Sequence, residues 1–72
     1  MWLRTKNGKF LVNINSGMYL RVDEYATDIA LLQIGVVGQD QERQIASGST
    51  VAMVAVIDRV ADAIGQEFVL EV

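Results

Sequence analysis

The stretch 49–65, STVAMVAVIDRVADAIG, constrains the fold most, because it sustains helical periodicity over about four turns. Met53, Ile57, Val60, Ala61 and Ile64 recur at spacings of three and four and make one apolar face, with Val56 beside it. Asp58, Arg59 and Asp62 fall on the opposite side, toward water. Ser49 or Thr50 suits the N-cap, and Gly65 suits the left-handed position past the helix end. The β-branched residues Val51, Val54, Val56, Ile57 and Val60 support a rival reading, a buried strand over 51–57. Ala52, Ala55, Ala61 and Ala63, with the pattern unbroken to residue 64, decide for a helix over 50–64. One helix with one apolar face needs a second layer to bury it. The rest of the chain reads as that layer, a sheet.

Lys6-Asn7-Gly8-Lys9 is the strongest turn signal, since Asn-Gly accepts the positive φ angles of a type I′ hairpin. A two-residue loop there pairs Thr5 with Phe10, Arg4 with Leu11, Leu3 with Val12 and Trp2 with Asn13. Asn15-Ser16-Gly17 reads as a three-residue hairpin loop, which pairs Ile14 with Met18, Val12 with Leu20 and Phe10 with Val22. On this reading the core face holds Leu3, Thr5, Phe10, Val12, Ile14, Met18, Leu20 and Val22. The outer face holds Trp2, Arg4, Lys6, Leu11, Asn13, Tyr19 and Arg21, with Lys9 opposite Asp23. Tyr25-Ala26-Thr27-Asp28 connects to an apolar strand at 29–37, where Gly35 marks a bulge or makes room for a helix side chain. Gly38-Gln39-Asp40 turns the chain into a polar edge strand at 41–46, which its Gln, Glu and Arg side chains guard against further pairing. After Gly65, alternation of Phe68, Leu70 and Val72 with Glu67, Val69 and Glu71 suggests a short strand at 67–72, in its own sheet or a neighbour's. The expectation is a single α+β domain over 1–72. Its antiparallel sheet has about five strands (2–6, 9–14, 18–24, 29–37 and 41–46), with 67–72 as a sixth, packed on one helix.

The chemistry available to the chain is narrow. Its 72 residues include no cysteine and no histidine. Disulfides, thiolate metal sites and imidazole general bases are thereby excluded. No apolar run approaches the roughly 20 residues of a membrane span, and no signal-like hydrophobic start follows the first residues. A soluble cytoplasmic protein without membrane contact is expected. A chain this short buries only about 60% of its extended surface. Yet 51% of its residues are apolar, and 29–37 is apolar on both faces apart from Gln33. Self-association, as a dimer or larger assembly, covers such a surplus. The net charge of −3 hides a division: residues 1–22 carry Arg4, Lys6, Lys9 and Arg21 and no acid, and 23–72 carry all nine acids against Arg43 and Arg59.

Catalytic constellations are missing. Asp58 and Asp62 lie one helical turn apart and could share a hydrated Mg²⁺, but Arg59 beside them favours a solvated surface. Asp23, Glu24 and Asp28 form a loop cluster without the ligand density of a calcium loop. Ser47, Ser49 and Thr50 lack a neighbouring base, and Gly48-Ser49-Thr50 lacks the glycine spacing and lysine of a phosphate loop. No catalytic residue, metal ligand or cofactor is assigned. The candidate site is instead the outer sheet face, Trp2, Arg4, Leu11, Asn13, Tyr19 and Arg21, whose Trp, Tyr and Arg content suits a protein interface. The same aromatic and basic mixture could take single-stranded nucleic acid, which the acidic total charge opposes. A small carboxylate-based enzyme or metal-binding domain is the second alternative.

At the same residues the opening Trp2-Leu3-Arg4-Thr5-x-Asn7-Gly8, followed by Leu11-Val12-Asn13, resembles the start of small proteins of Firmicutes and their phages. Those begin with Met-Trp-Ile-Arg and run on through a short turn, Leu-Val-Asn, further strands and a C-terminal helix. The resemblance implies the same order of elements through residue 64. It implies a bacterial or phage origin and brings no catalytic residue. The sequence therefore reads as a non-enzymatic interaction or structural module that self-associates. On this reading Trp2→Ala or Leu11→Ser weakens assembly more than folding.

Overall fold

The computed structural model describes residues 1–65 together with the backbone of 68–70. Five antiparallel strands form a meander: β1 (Trp2–Thr5), β2 (Phe10–Asn13), β3 (Met18–Ala26), β4 (Ile29–Val36) and β5 (Arg43–Gly48). Helix α1 (Thr50–Ile64) then crosses one face, over β2 to β5, and leads to β6 (Phe68–Leu70). β6 pairs parallel to β1 within the same chain, so the sheet order is β5-β4-β3-β2-β1-β6. The fold is the α+β architecture expected, a small antiparallel sheet packed on one helix. Of the expected strand at 67–72, residues 67, 71 and 72 lie outside the described residues.

The helix forms as its sequence dictates. The Ser49 hydroxyl accepts the Ala52 amide at 3.1 Å, and Gly65, at φ +72°, donates its amide to the Ala61 carbonyl at 3.0 Å. Both ends thus satisfy backbone groups that the helix leaves without internal partners. Met53, Ile57 and Ala61 are buried, and Val54, Val56, Val60 and Ile64 pack around them. One departure concerns Asp58. It does not simply face water but accepts a hydrogen bond from Arg4 at 2.6 Å, tying the helix to β1.

The first hairpin has the expected register, with Trp2 opposite Asn13, Leu3 opposite Val12 and Arg4 opposite Leu11. Its turn is different. Gly8 alone takes positive φ, +75°, and donates its amide to the Thr5 carbonyl, while Asn7 uses its side chain to accept from the Lys9 amide and the Thr5 hydroxyl. Gly8 also lies directly under the helix, where an added Cβ would sit 3.1 Å from Val54.

The second hairpin departs by one residue, with large consequences. Phe10 faces Arg21, Leu11 faces Leu20 and Val12 faces Tyr19. The loop has four residues, Ile14 to Gly17, because the Asn13 side chain accepts the amides of Asn15 and Ser16 while its carbonyl accepts that of Gly17 at 2.7 Å. Such a side-chain-capped turn draws Ile14 out of the strand. A slip of one residue exchanges the two faces of a strand. Leu11 therefore joins Leu20 and Val22 beneath the helix, and Phe10 and Val12 turn to the other side. Ile14 and Met18, expected in the core, are 50% and 44% exposed. Lys9 pairs with Glu24 and not with Asp23.

The core is consequently a single layer between helix and sheet: Leu11, Leu20, Val22, Ala30, Leu32, Met53, Ile57 and Ala61. Asp28, at φ +58°, closes the tight β3–β4 turn, and a bulge between Glu24 and Ala26 leaves Tyr25 exposed. β5 lies two residues later than the expected 41–46. Leu32 pairs with Ala46 but Gln33 pairs with Gln44, so Ile45 is the extra residue of a bulge.

Candidate interaction face

The six candidate residues expected on one outer face occupy two. Trp2, Arg4 and Leu11 stand on the helix side: Leu11 is fully buried, Trp2 packs against the core, and Arg4 bonds Asp58. Asn13 closes the second turn. Tyr19 and Arg21 stand on the other side, which the helix leaves uncovered. The cluster of Trp2 and Tyr19 beside Arg4 and Arg21 that would stack bases and neutralise phosphates is not formed, because the two faces divide it.

The helix-free face carries Leu3, Thr5, Phe10, Val12, Tyr19, Arg21, Leu31 and Gln33, all half-buried among one another. Its centre is a clamp. Tyr19 stacks on Phe10 with ring centroids 5.4 Å apart and planes at 16°. From there it passes over Gly35, its partner on β4, and donates its hydroxyl to Glu42 at 2.7 Å. Arg21 donates to the same carboxylate twice, from Nε at 2.9 Å and Nη2 at 2.7 Å. Three donors from β3 thus hold one carboxylate that arrives from the loop before β5, across the whole width of β4.

Gly35 makes that reach possible. A Cβ at this position would stand 2.6 Å from the Tyr19 hydroxyl oxygen and 2.8 Å from the carbon bearing it. The glycine was expected to mark a bulge or to admit a side chain from the helix; it pairs in register with Tyr19 and admits that side chain, from the neighbouring strand and on the opposite face. An aromatic ring laid over a cross-strand glycine restores the packing that glycine lacks.

Charge on this face is paired internally, one guanidinium with two carboxylates. The Arg21 hydrogen bonds, with that of Tyr19, hold the Glu42 carboxyl down at about 2, against an ordinary 4.5. The bond to Glu42, and then desolvation, raise the Tyr19 phenol above its ordinary value, so it remains a donor at neutral pH. Asp23 stands 3.7 Å from the Arg21 guanidinium. Because the folded-state pKa of Glu42 is depressed, its stabilising contribution is complete above about pH 4.5 and is lost as pH falls toward 2. Glu42→Gln is expected to lower the urea midpoint at pH 7. The gap between variant and parent should close between those two pH values, where the parent's clamp is itself neutralised.

Beside the clamp lies an open concavity of about 530 Å³, formed by Met18, Ile34, Gly35, Val36 and the loop 39–43. Asp40, Glu42 and Arg43 are its ionisable groups, and its lining includes no hydroxyl or lysine. Among the described residues no three Asp or Glu side chains converge as a metal site would require, and no helix is long and apolar enough to cross a membrane. Comparison with family models, curated proteins and solved structures finds no match for the chain. Sequence reasoning missed Glu42, which it placed in a solvated edge strand, and also Phe10 and Gly35. The legible signal was an aromatic that falls opposite a glycine once β3 and β4 are paired through Asp28.

Proposed function

We propose that this chain is a non-enzymatic interaction module that self-associates through the helix-free sheet face. The observation that carries the reading is the composition of that face. Leu3, Phe10, Val12, Tyr19 and Leu31 sit together with no layer over them among the described residues, and the one cation beside them, Arg21, is already held by Glu42 and Asp23. A face with its charges paired can be desolvated without stranding an ion, and it offers nothing to select a strongly charged partner. A second copy presents the same largely apolar surface, its charges likewise paired. From a strand spacing of about 4.8 Å and a rise of about 3.3 Å per residue, β1 to β5 cover about 500 Å². Two such faces together remove about 1,000 Å², the lower end for a specific contact, so dissociation in the micromolar range is expected.

Light scattering over a roughly hundredfold concentration range tests this, with micromolar dissociation inside the range. The mass should rise above the 7.9 kDa of one chain as concentration increases. Leu31→Lys places an ammonium in the face, opposite Asp23, where a cross-strand pair supports the fold. That variant should keep its circular dichroism and bind itself about 1,000-fold more weakly, because each dimer of it loses two hot-spot side chains worth about 2 kcal/mol apiece. A parent protein that stays at the mass of one chain throughout would end the proposal.

A further inference from the structure

β5 ends the sheet on the side away from β6. At the expected position, 41–46, its charged side chains would have guarded that edge. In the structure the strand is Arg43–Gly48, and Glu42 is spent on Arg21 and Tyr19. After Arg43, what remains is Gln44, Ile45, Ala46, Ser47 and Gly48, a run with no charge and no proline. Edge strands that avoid pairing carry charges or proline, turn away at a bulge, or are very short; β5 has a bulge at Ile45, beyond which residues 46–48 pair regularly with 30–32. This one has six residues, all exposed except half-buried Ala46, and its bulge turns Ile45 outward with 52% of its surface in water.

We propose that β5 is a strand-addition edge whose partner is β5 of a second copy, paired antiparallel about a two-fold axis. An isologous contact presents the same strand from both sides. The antiparallel direction sets Arg43, the strand's one charge, beside the partner strand's uncharged Gly48 end, whereas a parallel one would bring two Arg43 side chains together. Main-chain hydrogen bonds along the uncharged run supply the attraction, as in other strand-addition contacts, and the two Ile45 side chains add apolar contact. The two six-stranded sheets then become one continuous sheet. The contact uses a different surface from the helix-free face, so it stands whether or not that face associates, and the two can coexist in one assembly.

Amide hydrogen exchange at residues 43–48 tests it, measured across a roughly hundredfold range of concentration in the parent, in Leu31→Lys and in Ile45→Lys. Edge pairing should slow the outward-facing amides of 44–48 about tenfold or more at the high end, because only a new backbone partner protects them. Leu31→Lys should keep that protection even though its helix-free faces no longer associate. Ile45→Lys, an edge lysine, should abolish it while the helix amides stay protected as in the parent. Exchange at 43–48 that does not change with concentration, fast or slow, would overturn the proposal, including in a sample whose mass rises through the face alone. Protection that survives Ile45→Lys unchanged would overturn it as well.

Discussion

Leu11→Ser is expected to leave most of the chain unfolded at 25 °C, with no cooperative melting in circular dichroism. Leu11 is fully buried between β1, β3 and the helix. Truncating a buried leucine costs about 2–5 kcal/mol through lost transfer energy and the cavity left behind. A buried hydroxyl without a designed partner adds about 1–3 kcal/mol. A chain of this length commands about 4–10 kcal/mol in total, at about 0.05–0.15 kcal/mol per residue, so the substitution removes much or all of it. Phe10→Ser, one residue earlier, acts on the other face. It removes the ring stacked on Tyr19 and should leave the core layer folded. The contrast between adjacent positions measures the register directly. A Leu11→Ser protein that melts cooperatively within about 1 kcal/mol of the parent would show that β2 faces the other way.

The second large effect is expected at Gly35. Gly35→Ala puts a methyl group where the tip of Tyr19 now lies, at 2.6 Å, so the ring must swing off β4. It gives up its bond to Glu42 and its stacking on Phe10. Overpacking of this kind costs about 1–3 kcal/mol. A double-mutant cycle separates this cause from any backbone effect. Gly35 is not in the positive-φ set, so alanine strains nothing in the main chain. With Tyr19→Ala already present, Gly35→Ala should therefore be neutral or stabilising by about 0.5–1 kcal/mol, since glycine within a strand carries an entropic cost. The change of sign, read from urea midpoints, is the diagnostic. An equal loss in both backgrounds would mean that Gly35 serves the backbone and that the clamp does not depend on it.

Three elements show where local reasoning stops. Helix α1 was legible end to end, because an apolar stripe, a serine before it and a glycine after it are local and agree with one another. The first hairpin was legible in register but not in turn type. Asn7 solved the turn with its side chain while Gly8 alone took the left-handed conformation, and both solutions leave Arg4 opposite Leu11. The second hairpin was misread because two turns compete at Asn13–Gly17. The three-residue loop keeps Ile14 in the strand. The four-residue loop releases it and satisfies three backbone amides with the side chain and carbonyl of Asn13. Agreement between two apolar patterns could not arbitrate, since β2 reads Phe-Leu-Val and has apolar residues for either face.

The amino-acid sequence by itself determined the class of this protein: one amphipathic helix, capped at both ends, laid on a meander of short strands, with no thiol or imidazole to work with. Periodicity, caps and turn residues act within a few positions, so they can be read in order along the chain. Only the tertiary structure decided which face of the sheet is free, that Tyr19 and Arg21 reach across β4 to Glu42, and that β5 begins at Arg43 and leaves Glu42 outside the strand. Those outcomes depend on a register off by one or two residues. Register is settled by which face the helix can bury, and that packing joins segments far apart in the chain, Leu11 and Ile57 among them.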